Sequence, residues 1–452
     1  MRRKRQSTFH LTVSQLITLG FGILILMGAL LLMTPLATKN GESTNFLDAL
    51  FTATSATCVT GLTTLTTNEH WSLFGQSVIL VLIELGGLGF MTIPVFFFVL
   101  MKKKITLSTR MFLREAFNSQ RMSGEIHLLL YVLKIALLIQ GVGSLLLAVR
   151  FVPQFGWGKG LWYSVFHAIS SFCNAGFDLF GDSLVGFQKD PWVLSIISLL
   201  IISGGLGFFV WHDLLEIRKN KRLSLHSQIA LLVTAGLLVF GVIGFFFTEQ
   251  NSGLLAEGNR WQRFFNTIFM AVTPRTAGFF SIDYFSMSHA GLVLTMVLMF
   301  IGGTSGSTAG GFKTTTFGVL LIKIRSIFKG RSRAEFRGRT IKEDTISRAL
   351  TLFFAFLTVI IISTMILSVT ETIPNVDQLG LEYIVFEVIS ALGTVGLTMG
   401  LTPDLTSIGK VIILSLMFLG RVGVMTVFFS FIFRANKNEA NFKYPEESVI
   451  IG

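Results

Sequence analysis

This chain of 452 residues is short of charge, cysteine and metal-ligand spacing, and each scarcity excludes something. Only 14% of its residues are charged, against about 25% in a soluble domain, so a string of soluble domains is excluded. Two cysteines, Cys58 and Cys173, cannot build a disulfide framework. The seven histidines show no metal-ligand spacing; His226 and His289, for example, have no partner at helical distance. There is no Walker loop, no GxSxG elbow and no HExxH. A membrane enzyme needs ionisable groups around a cavity, and the apolar segments offer few beyond Glu84 and Arg421. No covalent catalysis, and no cofactor held by the chain, is expected.

What is present is apolar. Hydrophobic residues make up 51% of the chain, and phenylalanine alone fills 45 positions. That composition suits a polytopic membrane protein. The opening MRRKRQSTFH is basic and leads into a long apolar run without a small-residue cleavage site, which reads as a retained first span. A net charge of +12 fits basic cytosolic loops better than nucleic-acid binding.

Apolar runs of about 20 residues or more, enough to cross a bilayer, fall near 13–36, 72–100, 126–151, 191–211, 227–248, 289–325, 348–369 and 408–433. Shorter amphipathic stretches lie between them near 45–57, 160–172, 261–273 and 380–391, too short to span and suited to re-entrant helices. These stretches align without gaps as FTATSATCVTGL (51–62), FHAISSFCNAGF (166–177), IFMAVTPRTAGF (268–279) and FEVISALGTVGL (386–397). Glycine stands eleventh in all four, as Gly61, Gly176, Gly278 and Gly396. Each is followed, 24 to 28 residues later, by a second glycine site at Gly86, Gly204, Gly302 or Gly420. The pairs Gly86-Gly87 and Gly204-Gly205 also suit close helix packing, as do Gly141 and Gly143; Pro94 would kink its span. The expected architecture is therefore an all-α membrane protein of four span–short helix–span units around one pseudo-fourfold axis. The units would occupy 1–104, 105–222, 223–342 and 343–452.

Charge sets the orientation. Basic clusters at Lys102–Lys104, Arg218–Arg222 and Lys329–Arg339 follow second spans, while Glu42, Asp48, Glu249, Glu257, Glu371 and Asp377 lie between first spans and short helices. The positive-inside rule puts both termini in the cytosol and the glycine turns on the outer side. Irregular backbone at membrane depth must be buried in protein or line a wet cavity. The C-terminal end of each short helix carries roughly half a negative charge, and four such ends on one axis attract a cation. The turns CVTG, CNAG, RTAG and GTVG contain no carboxylate. A neutral carbonyl ring suits potassium better than a divalent ion.

Two further features stand out. The third unit's second span is interrupted by GGTSGSTAGGFK, from Gly302 through Gly303, Thr304, Ser305, Gly306, Ser307, Thr308, Ala309, Gly310 and Gly311 to Lys313. Each glycine costs a helix about 1 kcal/mol against alanine, so a flexible loop beneath the turns, able to block a pore, is expected. Lys313 reads equally as an inner-mouth residue or as a marker of the cytosolic interface. Arg421 sits inside an apolar span, where an unpaired guanidinium costs several kcal/mol. It is expected to hydrogen-bond loop carbonyls and add a positive barrier below the turns.

These motifs resemble the Trk/Ktr/HKT superfamily of potassium transporters, in particular the bacterial KtrB type, over nearly the whole chain, including the C-terminal KYPEESVIIG (443–452). The resemblance implies potassium uptake across the plasma membrane, with the ion coordinated by backbone carbonyls of Val59, Thr60 and Gly61; Asn174, Ala175 and Gly176; Thr276, Ala277 and Gly278; and Thr394, Val395 and Gly396. It also implies a homodimer, a cytosolic ring of nucleotide-binding RCK subunits, and room for sodium as an activating ion. Some sodium-favouring plant relatives carry serine in place of the first filter glycine; Gly61 implies the potassium-preferring form. The third unit departs from the others with Pro274 and Arg275, and Arg275 is expected to point behind the turn, since a guanidinium on the axis repels a cation. Two other readings stay open on the residues alone, a secondary transporter of another small solute and a non-conducting membrane scaffold.

Overall fold

A computed structural model describes residues 12–89, 125–217, 222–249, 258–373, 380–431, 445 and 447. Pro94, Lys102–Lys104 and most of KYPEESVIIG lie outside these residues.

The described chain is mostly helical. The first unit comprises α1 (Val13–Leu32), α2 (Phe46–Cys58) and α3 (Leu73–Gly87). The second comprises α4 (Glu125–Phe155), α5 (Trp157–Cys173), α6 (Pro191–Gly205) and α7 (Phe208–Leu215). The third comprises α8 (Leu225–Thr248), α9 (Arg260–Val272), α10 (His289–Phe300) and α11 (Thr314–Phe328). A two-stranded antiparallel hairpin, β1 (Glu335–Phe336) with β2 (Arg339–Thr340), leads to the fourth, α12 (Glu343–Thr370), α13 (Glu382–Gly393), α14 (Ser407–Val422) and α15 (Val424–Phe431). The short helices α2, α5, α9 and α13 fall where the repeated 12-residue stretches place them.

Among the described residues, four helices are long and apolar enough to cross a membrane: α1, most of α4, α8 and α12. The second spans differ from the continuous runs that hydropathy suggests. α6 and α7 meet at 95°, and α14 and α15 at 99°; counting each bent pair as one span raises the number to six. The bends occur at Gly207 and Gly423, whose φ values of +90° and +97° are open to glycine and strained for other residues. The third unit breaks completely, with thirteen residues between α10 and α11.

Hydroxyl or carboxylate caps start the second helices. Ser72, Asp190, Ser288 and Thr406 each accept from an N–H within the first turn. In the last two units a buried acid from the end of the preceding span completes the cap. Ser288 Oγ donates to Glu249 Oε1 at 2.5 Å, and Thr406 donates to Glu371 through Oγ1 at 2.6 Å and N–H at 2.9 Å. A carboxylate at a helix N-terminus also meets the positive end of the dipole. Glu249 and Glu371 thus tie the end of each first span to the start of the second helix of its unit.

The units form a closed cycle. α3 packs on α5, α6 on α9, α10 on α13, and α14 returns to α2. Each second helix thus packs against the short helix of the next unit. Among the described residues two large apolar cores result, one built mainly from the first two units and one mainly from the last two.

Candidate functional site

The four short helices end alike. α2, α5 and α13 are capped by Val59, Asn174 and Thr394 in the left-handed conformation, with φ of +57°, +59° and +50°. The next N–H reaches back to the carbonyl five residues before it: Thr60 to Ser55, Ala175 to Ser170 and Val395 to Ser390, all at 2.8 Å. This is the Schellman geometry. The third unit reaches the same end differently. Pro274 lacks an N–H, α9 stops three residues earlier in the aligned stretch, and Ala277 donates to Thr273 O at 3.0 Å, while Thr276 keeps a positive φ of +71°.

Beyond the caps, Gly61, Gly176, Gly278 and Gly396 have φ between +70° and +96°. A Cβ built on Gly61 would lie 2.5 Å from Ala175 O, on Gly176 3.0 Å from Ala277 O, and on Gly278 2.6 Å from Val395 O; on Gly396 it would fall on Thr60 O. The four carbonyls just before the four glycines therefore form one ring, each against the glycine of the preceding unit, and the ring closes from the fourth unit to the first. Eight residues, Thr60–Gly61, Ala175–Gly176, Ala277–Gly278 and Val395–Gly396, meet at this ring, and Val59, Asn174, Thr276 and Thr394 immediately precede them. Such a ring can replace part of a cation's hydration shell.

The glycines that follow have a packing role. A Cβ on Gly86 would fall on Thr57 O, on Gly204 on Phe172 O, and on Gly420 on Leu392 O. In these three units the second helix thus approaches the carbonyl end of its own short helix, a contact that only glycine allows, while in the third unit Gly302 meets Gly310 O instead. Gly143 faces the end of the Leu200 side chain, with a Cβ 2.7 Å from its Cδ2, whereas Gly141 faces open space.

Residue types alone left some supports hidden. Ser55 Oγ accepts from Gly61 N–H at 3.0 Å and Ser390 Oγ from Gly396 N–H at 3.1 Å, while Ser170 Oγ donates to Phe177 O at 2.8 Å. Thr273 donates to Phe279 O in the third unit. A serine in the fifth column of three aligned stretches is the signal that could have found them. The second column is less uniform. It holds the fully buried His167 in the second unit and the fully buried Glu387 in the fourth. His167 Nδ1 donates to Tyr163 O at 2.7 Å, and its Nε2 accepts from Leu179 N–H at 3.3 Å. Glu387 accepts from Thr398 Oγ1 at 2.7 Å and from Thr402 Oγ1. Both side chains brace the segment that leaves the ring.

Arg275 points away from the ring, as expected. It is buried, and its Nη2 donates to Thr234 Oγ1 on α8 at 3.4 Å.

The segment from Gly302 to Lys313 lies against this assembly as an irregular, largely buried loop. Gly302 N–H donates to Phe312 O at 2.8 Å, Thr304 N–H to Gly205 O at 3.0 Å, and Thr308 Oγ1 to Phe172 O at 3.0 Å. Phe208 N–H donates to Gly306 O at 2.8 Å, so the break in the second unit's second span docks on the loop. Gly303 sits beside Ala309, Ser305 Oγ is 2.8 Å from Thr315 Oγ1, and a Cβ on Gly310 would strike Thr394 Oγ1. Gly311, with φ of +64°, turns the chain beside Gly393. Lys313 Nζ donates to Ala309 O at 2.6 Å and Gly310 O at 3.3 Å, so its ammonium turns back onto the loop. Arg421 donates to Thr308 O, to Gly86 O and, at 3.0 Å, to Gly87 O. One guanidinium thus ties the fourth unit's bent helix to the loop and to the first unit's glycine pair. The half-buried Glu84 sits beside this glycine pair, accepting from Gln140 Nε2 at 2.9 Å and from Cys173 Sγ at 3.3 Å.

Residues 12–443 match the family of cation transport proteins named TrkH. The chain is 59% identical, over 99% of its length and 99% of the relative's, to the potassium/sodium uptake protein NtpJ of Enterococcus hirae. It is 42% identical to the Ktr system potassium uptake protein B of Bacillus subtilis, covering 98% of this chain and 97% of that one. Its fold matches the crystal structure of the potassium transporter TrkH from Vibrio parahaemolyticus with a TM-score of 0.69, at 17% identity, over 95% of this chain and 86% of that one.

Proposed function

The chain belongs to the TrkH family of cation transport proteins, and on that premise we propose that it takes up potassium through the carbonyl ring between its four units. It is a transporter and not an enzyme. The observation that carries the reading is the closure of the ring, in which every filter glycine abuts a carbonyl of the neighbouring unit. The proposed ligands are the carbonyls of the twelve residues Val59–Gly61, Asn174–Gly176, Thr276–Gly278 and Thr394–Gly396. Oxygens without formal charge on a short path suit a monovalent ion that must also leave. Potassium is the cargo; the name of the Enterococcus relative supports sodium as a second ion.

In this reading the protein has eight spans and four re-entrant pore helices, one set for each of the units 1–104, 105–222, 223–342 and 343–452. It lies in the plasma membrane with both termini cytosolic, an orientation supported by the placement of basic residues. The membrane potential supplies about 2.3 kcal/mol per charge per 100 mV. The loop Gly302–Gly311, with Lys313 and Arg421, is the gate. The two cations favour the closed state electrostatically, and their bonds to Thr308, Ala309 and Gly310 hold the loop in place. A homodimer and a cytosolic RCK-type ring acting on the loop complete the reading; the Bacillus relative's designation as part of a Ktr system supports a partner.

The test is tracer flux in liposomes, comparing rubidium with sodium, for the unaltered chain and for Gly61→Ser. Selective rubidium flux that loses selectivity in the variant supports the ring as the filter. Absence of flux in both, with the cytosolic partner added, would overturn the transport reading.

A further inference from the structure

A cavity of about 570 Å³ opens beside the crossing of α8 and α11. Gly318 makes that crossing close, since a Cβ there would lie 2.6 Å from Ile229 Cγ2 and 2.9 Å from Val233 Cγ2. One wall of the cavity is apolar, with Ile229, Leu232 and Val233 from α8 facing Leu321 from α11. The rim is basic. Arg325 and Lys329 stand one helical turn apart at the end of α11, Arg331 follows, and Arg337 comes from the β1–β2 hairpin.

The rim carries one carboxylate, Glu335, and Arg331 already holds it at 3.0 Å. Arg337 donates to Gln228 Oε1 at 3.3 Å and lies over the Phe336 ring. Among the described residues, Arg325 and Lys329 have no ion-pair partner. Ile324, Ile327 and Phe328 are exposed on the same stretch, Phe328 at 87%. The end of α11 therefore carries apolar surface suited to lipid and cations suited to an anion within one turn.

We propose that this cavity binds an anionic phospholipid of the cytosolic leaflet. Its phosphate sits between Arg325 and Lys329, and one acyl chain lies on the wall of Ile229, Leu232 and Leu321. A guanidinium matches phosphate oxygens in a fork, and an ammonium adds a point charge. Basic pockets between helices at the cytosolic face suit such headgroups. A soluble phosphate compound would leave the apolar wall unused, and a zwitterionic lipid would bring its own cation to a cationic rim. The proposal rests on the orientation given above, which puts the end of α11 at the cytosolic interface.

The test is native mass spectrometry of the purified full chain, with phosphatidylglycerol or phosphatidylcholine as the added lipid. Phosphatidylglycerol is expected to be retained over phosphatidylcholine. R325Q/K329Q should weaken its retention about thirtyfold, which is about 2 kcal/mol at about 1 kcal/mol per cation. Leu232→Trp, which fills the apolar wall and keeps every charge, should weaken it as well. Equal retention of phosphatidylglycerol by the unaltered chain and R325Q/K329Q overturns the proposal, and so does effective competition by glycerol phosphate, which would mark a free-phosphate site. Lipid retention is read without ion flow, so its failure leaves the transport reading standing, and a failure of flux leaves the lipid site standing.

Discussion

The carbonyl oxygen of Thr60, in the first unit, occupies the place that a Cβ on Gly396, in the fourth, would need. The two ends of the repeat series therefore meet backbone to backbone at the ring. Gly396→Ala adds a clash with Thr60 O to the strain of a φ of +91°. The strain alone costs about 1–2 kcal/mol. Gly41→Ala separates the two effects, because Gly41 has a φ of +71° with nothing near its Cβ position. Gly396→Ala is expected to abolish discrimination between rubidium and sodium in liposome flux. Gly41→Ala should lower thermal stability slightly and leave selectivity intact. Loss of selectivity in both would point to general strain rather than the ring.

How far the ring was legible in the sequence follows from what a repeat preserves. The eleventh-column glycine recurs because each unit needs the same left-handed turn, so the short helices could be placed to within a few residues. The breaks at Gly207 and Gly423 were not legible, because a glycine that bends a span and one that packs against a neighbour look alike in an apolar run. Glu387 and His167 were hidden for the opposite reason. They share a column with Thr52 and Phe269, so the aligned stretches give no consensus there. The long-range partners of Arg421 at Gly86 and Gly87 depend on how the first and fourth units close, which no local pattern states.

Arg421 makes bonds and also carries charge, and substitution can separate the two. Arg421→Ala removes the donors to Thr308, Gly86 and Gly87 together with the positive charge. Arg421→Lys keeps the charge but cannot bridge both partners in the same planar geometry. Rubidium uptake is expected to rise about tenfold or more in Arg421→Ala, a barrier change of about 1.4 kcal/mol. A smaller rise in Arg421→Lys would assign the remainder to charge. Unchanged uptake in Arg421→Ala would remove it from the gate.

Glu387 is fully buried and accepts two threonine hydroxyls. Thr398 Oγ1 itself accepts from Gly400 N–H at 3.0 Å, so its own proton is directed to the carboxyl group. Glu387→Gln keeps the volume and one acceptor, whereas Glu387→Ala orphans both hydroxyls at about 1–3 kcal/mol each. Glu387→Ala should lower the unfolding temperature clearly. Glu387→Gln should fold, and it should raise the KM for rubidium several-fold if the carboxylate draws cations to the ring. An unaltered KM in a folded Glu387→Gln would restrict the residue to a bracing role.

Lys410 and Asp48 join the same two units farther out. Lys410 Nζ on α14 donates to Asp48 Oδ1 on α2 at 2.7 Å, and Thr64 Oγ1 donates to the same oxygen at 3.0 Å. Their side chains are 17% and 18% exposed, so the pair is shielded more than a surface bridge, which is worth about 0–1 kcal/mol. A double-mutant cycle with Lys410→Met and Asp48→Asn should give a coupling of about 1–2 kcal/mol in unfolding free energy, falling as salt rises. The single variants should differ in direction. Lys410→Met leaves an uncompensated carboxylate on α2, which is expected to raise cation affinity at low salt, while Asp48→Asn leaves an uncompensated ammonium, which is expected to lower it. Additive stabilities with no opposed shift in rubidium affinity would mean that Thr64 and water satisfy Asp48 alone, and the closure of the cycle would then rest on the packing of α14 against α2 and on the contact between Thr60 and Gly396.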